Sequence, residues 1–151
     1  MSKFLIEDRP TLTCMIQART PERVSELIKK GLDGGTDAFA IQIDQLEREY
    51  RTESCYRVLF EKMGGKPVYV TDYRNNMSTG MTDGELADEL LTLAKSGAAL
   101  VDVMSDLYCP SKDEITRDSA ADAKQRELIN KIQLIHMSYQ HEANKDDANE
   151  E

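Results

Sequence analysis

Five short apolar segments recur along this chain at intervals of about 30 residues. They cover residues 12–18, 38–44, 67–71, 99–103 and 132–137. An interval of this length holds one β-strand and the helix that crosses over to the next parallel strand. The repeat therefore predicts an α/β fold with four βα units and a fifth strand, all strands being parallel.

Local signals indicate where the intervening helices begin. Thr20 is a typical N-cap, and Pro21 follows it at the first helical position, where a missing amide proton is tolerated. Thr82 and Glu85 have the spacing of a capping box. A fourth helix is predicted at residues 119–131. The continuous apolar character of the strands predicts a sheet that is covered on both faces.

Composition limits the class of protein. The chain has 151 residues, of which 40% are hydrophobic and 31% charged, and this suits one compact globular domain. No segment approaches the ~18 to 20 apolar residues that cross a bilayer, and no signal-peptide core is present, so we expect a cytoplasmic protein without membrane contact. The three cysteines are widely spaced and indicate neither a disulfide framework nor a metal motif.

The charge distribution also separates a domain from a tail. A net charge of −9 argues against nucleic-acid binding, which requires a basic surface. Much of this charge lies at residues 142–151, a polar and acidic segment whose composition is typical of disorder. We therefore predict a folded domain at residues 1–141 and an acidic disordered tail at 142–151.

Two architectures fit this order of elements, an open flavodoxin-like parallel sheet and the first part of a (β/α)8 barrel. The chain length favours the open sheet, since a barrel needs about 250 residues, whereas the identities of particular residues favour the barrel. The loop at residues 17–22 has no glycine-rich phosphate cradle. A phosphoacceptor receiver domain would use Asp72, but the other residues of such a site are not found.

Several segments resemble type I 3-dehydroquinate dehydratases in their order and spacing. They are residues 14–16 (CMI), 38–44 (AFAIQID), 66–74 (KPVYVTDYR), 100–103 (LVDV) and 137–141 (MSYQH). The resemblance implies a (β/α)8 barrel and the dehydration of 3-dehydroquinate in the shikimate pathway. In that family a lysine forms a Schiff base with the substrate, a histidine transfers protons and an arginine binds the substrate carboxylate, without a metal or an organic cofactor.

The family's site residues match this chain in part. By the resemblance, Arg74 after the third strand corresponds to the arginine that binds the substrate carboxylate. Ala40 and Gln42 replace a glutamate and an arginine that point into the barrel, so Gln42 supplies a hydrogen bond without a charge. His141 is the candidate catalytic histidine, with Gln140 as the alternative register because a slip of one residue changes the face of a strand.

The family's Schiff-base lysine lies on a sixth strand, which would follow residue 151. We therefore expect little or no dehydratase activity from the isolated chain, and expect open barrel edges that favour a homo-oligomer. Two alternatives remain open. The chain is a non-catalytic module that binds a small carboxylate or a partner, or it is a flavodoxin-like or receiver-like domain.

Overall fold

The structure is a computed structural model, and it describes residue 6 and residues 8–104. Nearly all of these residues belong to one unit, residues 1–102, which is described here by itself. Four of the sequence-based predictions lie outside the described residues and stay predictions. These are the helix at 119–131, the strand at 132–137, the catalytic role of His141 and the tail at 142–151.

Strands and helices alternate along the described chain. The elements are β1 (Thr13–Ile16), α1 (Pro21–Asp33), β2 (Ala38–Gln42), α2 (Glu53–Glu61), β3 (Val68–Thr71), α3 (Asp83–Lys95) and β4 (Leu100–Val101). Three single 3-10 helical turns lie in the loops, at Ile43–Gln45, Arg48–Tyr50 and Asn76–Ser78. The first four predicted strands and the helices between them are thus confirmed, although each strand is shorter than the apolar segment that contains it.

The helix starts follow the local signals in the sequence. The Thr20 hydroxyl accepts a hydrogen bond from the amide of Arg23 at 3.3 Å, and Pro21 is the first residue of α1. Before α3, the Thr82 hydroxyl accepts from the amide of Glu85 at 3.2 Å, and the Glu85 carboxylate accepts from the amide of Thr82 at 2.7 Å. These reciprocal bonds confirm the capping box, which satisfies amides that have no partner inside the helix.

All four strands are parallel, and they lie side by side in chain order, β1-β2-β3-β4. β2 is therefore hydrogen-bonded to both β1 and β3. A flavodoxin-like sheet would instead place β1 between β2 and β3. The flavodoxin-like alternative is thus wrong for the described strands, because the βα repeat in the sequence fixes the alternation of elements but not which strands pair.

The helices pack on one face of this sheet. α1 contacts α2, and α2 contacts α3, as expected when right-handed crossovers join neighbouring strands in chain order. Ile16, Ile41 and Val70 are register partners on the helix face, and all three are buried. On the opposite face Met15 is 54% exposed and Leu100 is 46% exposed. Ala38 and Ala40 of β2 lie on this same face and are buried. The predicted cover is therefore absent at Met15 of β1 and Leu100 of β4, since apolar character alone does not say what packs against a face.

The close approach of α1 to the sheet depends on Gly31. A Cβ atom at this position would lie 2.7 Å from Cε1 of Phe39 and 3.1 Å from Sγ of Cys14. We expect Gly31→Ala to lower the free energy of unfolding by about 1–3 kcal/mol, because overpacking outweighs the better helix propensity of alanine. Urea denaturation measures this change.

Gly84 provides the matched control for Gly31, since it also lies inside a helix. An added Cβ at Gly84 would have only Oγ1 of Thr82 nearby, at 4.0 Å. We expect Gly84→Ala to be neutral or to stabilise the protein by up to about 1 kcal/mol. A Gly31→Ala variant as stable as the native protein would contradict the packing of α1 on Phe39 and Cys14.

Candidate functional site

Polar side chains gather at the carboxyl ends of the strands. Because the strands are parallel and adjacent, these ends lie along one edge of the sheet, which is where α/β proteins bind ligands. We call the group the carboxyl-end cluster. It comprises Gln17, Gln42, Asp44, Thr71, Tyr73, Asn76 and Asp102.

Gln42 is the last residue of β2 and is half-buried, at the strand end where the sequence predicts a ligand contact. Its Oε1 atom accepts a hydrogen bond from Nε2 of Gln17, which follows β1. The Nε2 atom of Gln42 remains available to donate a hydrogen bond to another partner. Ala40, two residues earlier in β2, is buried and brings no polar group to the site.

Asp44 is fully buried in the 3-10 turn that follows β2. Its Oδ2 atom accepts a hydrogen bond of 2.6 Å from Nδ2 of Asn76, whereas its Oδ1 atom has no partner. Asn76 has a φ of 47°, a left-handed conformation that asparagine adopts more readily than most residues. This conformation of Asn76 ties the loop after β3 to the end of β2.

Thr71 is the last residue of β3 and lies in register with Gln42. Its hydroxyl is buried and has no hydrogen-bond partner, like Oδ1 of Asp44. Buried polar atoms in folded proteins nearly always have a partner, whether from the protein, from water or from a ligand. The described residues contain four such atoms: Oδ1 of Asp44 and Oγ1 of Thr71 lie at this edge, and Nη2 of Arg51 and Oδ2 of Asp72 lie beneath the loop after β3. The two atoms at the strand ends are therefore available to a water molecule or to a ligand.

Tyr73 and Asp102 extend the cluster toward β4. The Tyr73 hydroxyl donates a hydrogen bond of 2.8 Å to Oδ2 of Asp102, the residue after β4. This bond to a carboxylate, with a smaller effect of burial, raises the pKa of Tyr73 to about 12. The sequence alone does not indicate this pair, because it joins residues 29 apart in the chain.

Arg74 lies in the loop between β3 and α3, close to the strand end as predicted. Its Nη2 atom forms an ion pair with Asp83, the first residue of α3. The Arg74 side chain is 27% exposed, so solvent reaches part of it. Arg74 therefore remains the candidate for binding an anionic group, but it shares its charge with a neighbouring carboxylate.

A second polar group lies buried beneath the same loop. We call it the Arg51 cluster, which comprises Arg51, Tyr56, Asp72, Ser78 and Glu89. The Arg51 side chain is only 4% exposed, and its Nη1 atom lies 3.2 Å from Oε2 of Glu89 and 3.7 Å from Oδ1 of Asp72. The same nitrogen donates a hydrogen bond of 2.8 Å to the Ser78 hydroxyl.

The remaining contacts of the Arg51 cluster join α2 to α3. The Tyr56 hydroxyl, from α2, donates a hydrogen bond to Oε1 of Glu89 on α3. Burial of Tyr56 and the nearby charge of Glu89 raise the pKa of this tyrosine well above its ordinary value. The cluster therefore consists of neutral hydroxyls, one guanidinium and two carboxyl groups.

Asp72 is a buried carboxyl group of this cluster with a raised pKa. Its burial, reinforced by the charge of Glu89, raises the pKa of Asp72 to about 7, although the hydrogen bond from Ser78 and the charge of Arg51 oppose this shift. Asp72 is fully buried, and this argues against the alternative that it accepts a phosphoryl group as in receiver domains. The sequence pointed to Asp72 as an isolated acid but not to its partners.

Neither a metal centre nor a membrane span is found in the described part of the chain. Among residue 6 and residues 8–104, no three His, Cys, Asp or Glu side chains are placed to hold a metal ion. No helix among these residues has the length and apolar character needed to cross a membrane.

Comparison with protein-family models, with curated proteins and with solved structures gives no match. The likeness to 3-dehydroquinate dehydratases therefore stays a prediction that depends on the segments quoted from the sequence.

Proposed function

We propose that this protein is a relative of type I 3-dehydroquinate dehydratases that binds a small hydroxylated carboxylate at its carboxyl-end cluster. We further propose that β1–β4 form an arc of a (β/α)8 barrel. The chain-order arrangement of the parallel strands supports this proposal, because barrel strands follow the same order. Ligands of such barrels bind at the carboxyl ends of the strands.

The observation that carries the proposal is the pair of buried polar atoms without partners, Oδ1 of Asp44 and Oγ1 of Thr71. A buried polar atom without a hydrogen bond costs about 1–3 kcal/mol. The hydroxyl groups of a ligand would donate to the Asp44 carboxylate and exchange hydrogen bonds with Thr71. Such contacts favour a polyhydroxylated ligand over an apolar one.

The charges in the site set the orientation of the proposed ligand. Asp44 and Asp102 repel a carboxylate, whereas Arg74 attracts one from the loop after β3. We therefore place the ligand carboxylate at Arg74 and the ligand hydroxyls toward the two aspartates. Binding in this orientation replaces part of the contact between Arg74 and Asp83, two groups that solvent already reaches.

The proposal does not include a Schiff base formed by the described residues. Their lysines lie on helices, at the end of a helix or before a strand, and none lies at the carboxyl ends of the strands. These lysines are Lys29, Lys30, Lys62, Lys66 and Lys95. His141 remains the predicted proton carrier, and we expect it to contribute little to ligand affinity.

We expect 3-dehydroquinate to bind to the native chain and Arg74→Met to weaken this binding by about tenfold or more. The physical reason is the loss of a charge-assisted hydrogen bond, which contributes about 1.5–3 kcal/mol. Titration calorimetry or ligand-observed NMR measures the dissociation constants. Arg23→Met is the matched control, because Arg23 lies on α1 and pairs with the exposed Glu26.

Borohydride treatment in the presence of 3-dehydroquinate separates binding from catalysis. We expect no covalent adduct in the intact mass spectrum, because reduction traps only an imine. An adduct on a lysine would contradict the non-catalytic part of the proposal and leave the binding site intact. Equal affinity of the native protein and Arg74→Met would contradict the site itself.

A further inference from the structure

The Arg51 cluster contains more negative than positive charge if both of its carboxyl groups ionise. Oδ1 of Asp72 and Oε2 of Glu89 lie 3.7 Å and 3.2 Å from the same nitrogen of Arg51. All three side chains are buried or nearly so, and Oδ2 of Asp72 has no partner. One guanidinium compensates one buried carboxylate, and a second buried carboxylate is costly.

A proton on the pair of carboxyl groups removes this excess charge. The groups that face Asp72 are Arg51 from the loop after β2, Glu89 from α3, Ser78 from the 3-10 turn and Tyr56 from α2. Arg51 is the only cation among these four. Burial and the charge of Glu89 raise the pKa of Asp72 to about 7, so this carboxyl group keeps a proton to a higher pH than an exposed aspartate does.

The cluster also fixes the loop between β3 and α3. The Ser78 hydroxyl accepts a hydrogen bond from Arg51 and donates one to Asp72. Arg51 and Asp72 therefore both hold the turn at Asn76–Ser78. Arg48 binds the same loop from outside, where it donates to the carbonyl oxygens of Met77 at 2.6 Å and Thr79 at 2.9 Å. Arg51 and Asp72 therefore hold the loop through Ser78, and Arg48 holds it through the carbonyl oxygens of Met77 and Thr79.

We propose that the Arg51 cluster is a proton-operated latch. With one proton on its two carboxyl groups the cluster holds the β3–α3 loop closed, and loss of that proton releases the loop. After deprotonation, two carboxylates compete for one guanidinium, and movement of the loop admits water that solvates the excess charge. The latch does not involve ligand binding, so its test is independent of the proposed function.

A cavity gives solvent protons access to the cluster. It has a volume of about 290 Å³, and Arg51, Tyr56 and Glu89 are among the residues that line it. Arg48 and Glu85 are the other charged residues of its lining, whereas Asp72 is not part of it. A proton therefore reaches Glu89 from the cavity without unfolding of the core, and Glu89 shares Arg51 with Asp72. The latch can therefore respond to pH in the native state.

The test is an NMR titration of the native chain with ¹³C-labelled aspartate carboxyl groups. We expect one aspartate to titrate near pH 7, and the backbone amides of residues 75–80 to shift with the same midpoint. In Asp72→Asn both titrations should disappear. In Glu89→Gln the midpoint should fall by about one pH unit or more, because a neighbouring like charge is removed.

Asp88→Asn is the matched control, since Asp88 is the exposed residue next to Glu89 on α3. We expect it to leave the midpoint of the titration unchanged. The proposal is overturned if every aspartate of the native chain titrates below about pH 5, or if the loop amides do not follow Asp72. If Asp72→Asn does not fold, the titrations of the native chain and of Glu89→Gln still test the proposal.

The same proton makes stability depend on pH in a defined direction. Asp72 keeps its proton up to about pH 7 in the folded chain but only up to about pH 4 in the unfolded chain. Between these values the folded state binds more protons, so the urea midpoint should fall as the pH rises and level off above pH 7. Asp72→Asn should remove this part of the decline, and Asp88→Asn should keep it.

Discussion

Replacing Arg51 by methionine is expected to lower the free energy of unfolding by about 3–5 kcal/mol at neutral pH. Methionine fills similar space but leaves Glu89 and Asp72 without their cation, and the carbonyl oxygen of Leu46 and the Ser78 hydroxyl lose a donor. Buried charges without a partner are among the most destabilising changes known in proteins. Urea denaturation followed by circular dichroism measures the loss.

A double variant shows whether the loss arises from charge. Asp72→Asn removes one of the two carboxyl groups that lie next to Arg51, so Arg51→Met combined with Asp72→Asn should be more stable than the sum of the single changes predicts. Arg23→Met, at an exposed ion pair, should change stability by no more than about 0.5 kcal/mol. A loss below about 1 kcal/mol in Arg51→Met would show that Arg51 is not the centre of a buried cluster.

Ile16→Ala is expected to destabilise the protein much more than Met15→Ala, although the two residues are neighbours in β1. Ile16 is fully buried under the helices, and its truncation should lower the free energy of unfolding by about 2–5 kcal/mol. Met15 lies on the opposite face and is 54% exposed, so its truncation should change stability by about 0.5 kcal/mol or less. Urea denaturation of both variants at low protein concentration makes the comparison.

The exposed face also bears on the proposed homo-oligomer. Met15 and Leu100 offer an apolar surface that a second copy would cover. In that case Met15→Ala should lower the mass measured by light scattering at high protein concentration without loss of fold. A native chain that stays monomeric at all concentrations would contradict self-association, and an unstable Met15→Ala monomer would contradict an open face.

Local sequence signals were sufficient for most elements of this fold. Thr20, Pro21 and the Thr82–Glu85 capping box act within a few residues, so their effects are visible in the sequence. The order of the strands was not predictable in this way. Open sheets and barrels share the same βα alternation, and the pairing of β2 with both neighbours depends on contacts across the whole unit.

The sequence predicted those parts of the candidate site that depend on a single residue at the end of a strand. It did not predict the parts that depend on contacts between distant residues. Gln42 and Arg74 do lie near the ends of their strands, as expected from the resemblance. The Arg51 cluster was missed because its members come from a loop, two helices and a strand end, with Arg51 and Glu89 separated by 38 residues. Asn76 was missed because its bond to Asp44 joins residues 32 apart in the chain.

The arrangement of neighbouring strands in chain order has a consequence for how the polypeptide assembles. Paired residues such as Thr13 and Ala38, or Tyr69 and Leu100, are separated by only one βα unit. Each pairing therefore closes a loop of similar and moderate length, and the entropy of closure changes little from one step to the next. During synthesis every new strand finds its partner already outside the ribosome, so the sheet can grow from the N-terminus without waiting for distant segments.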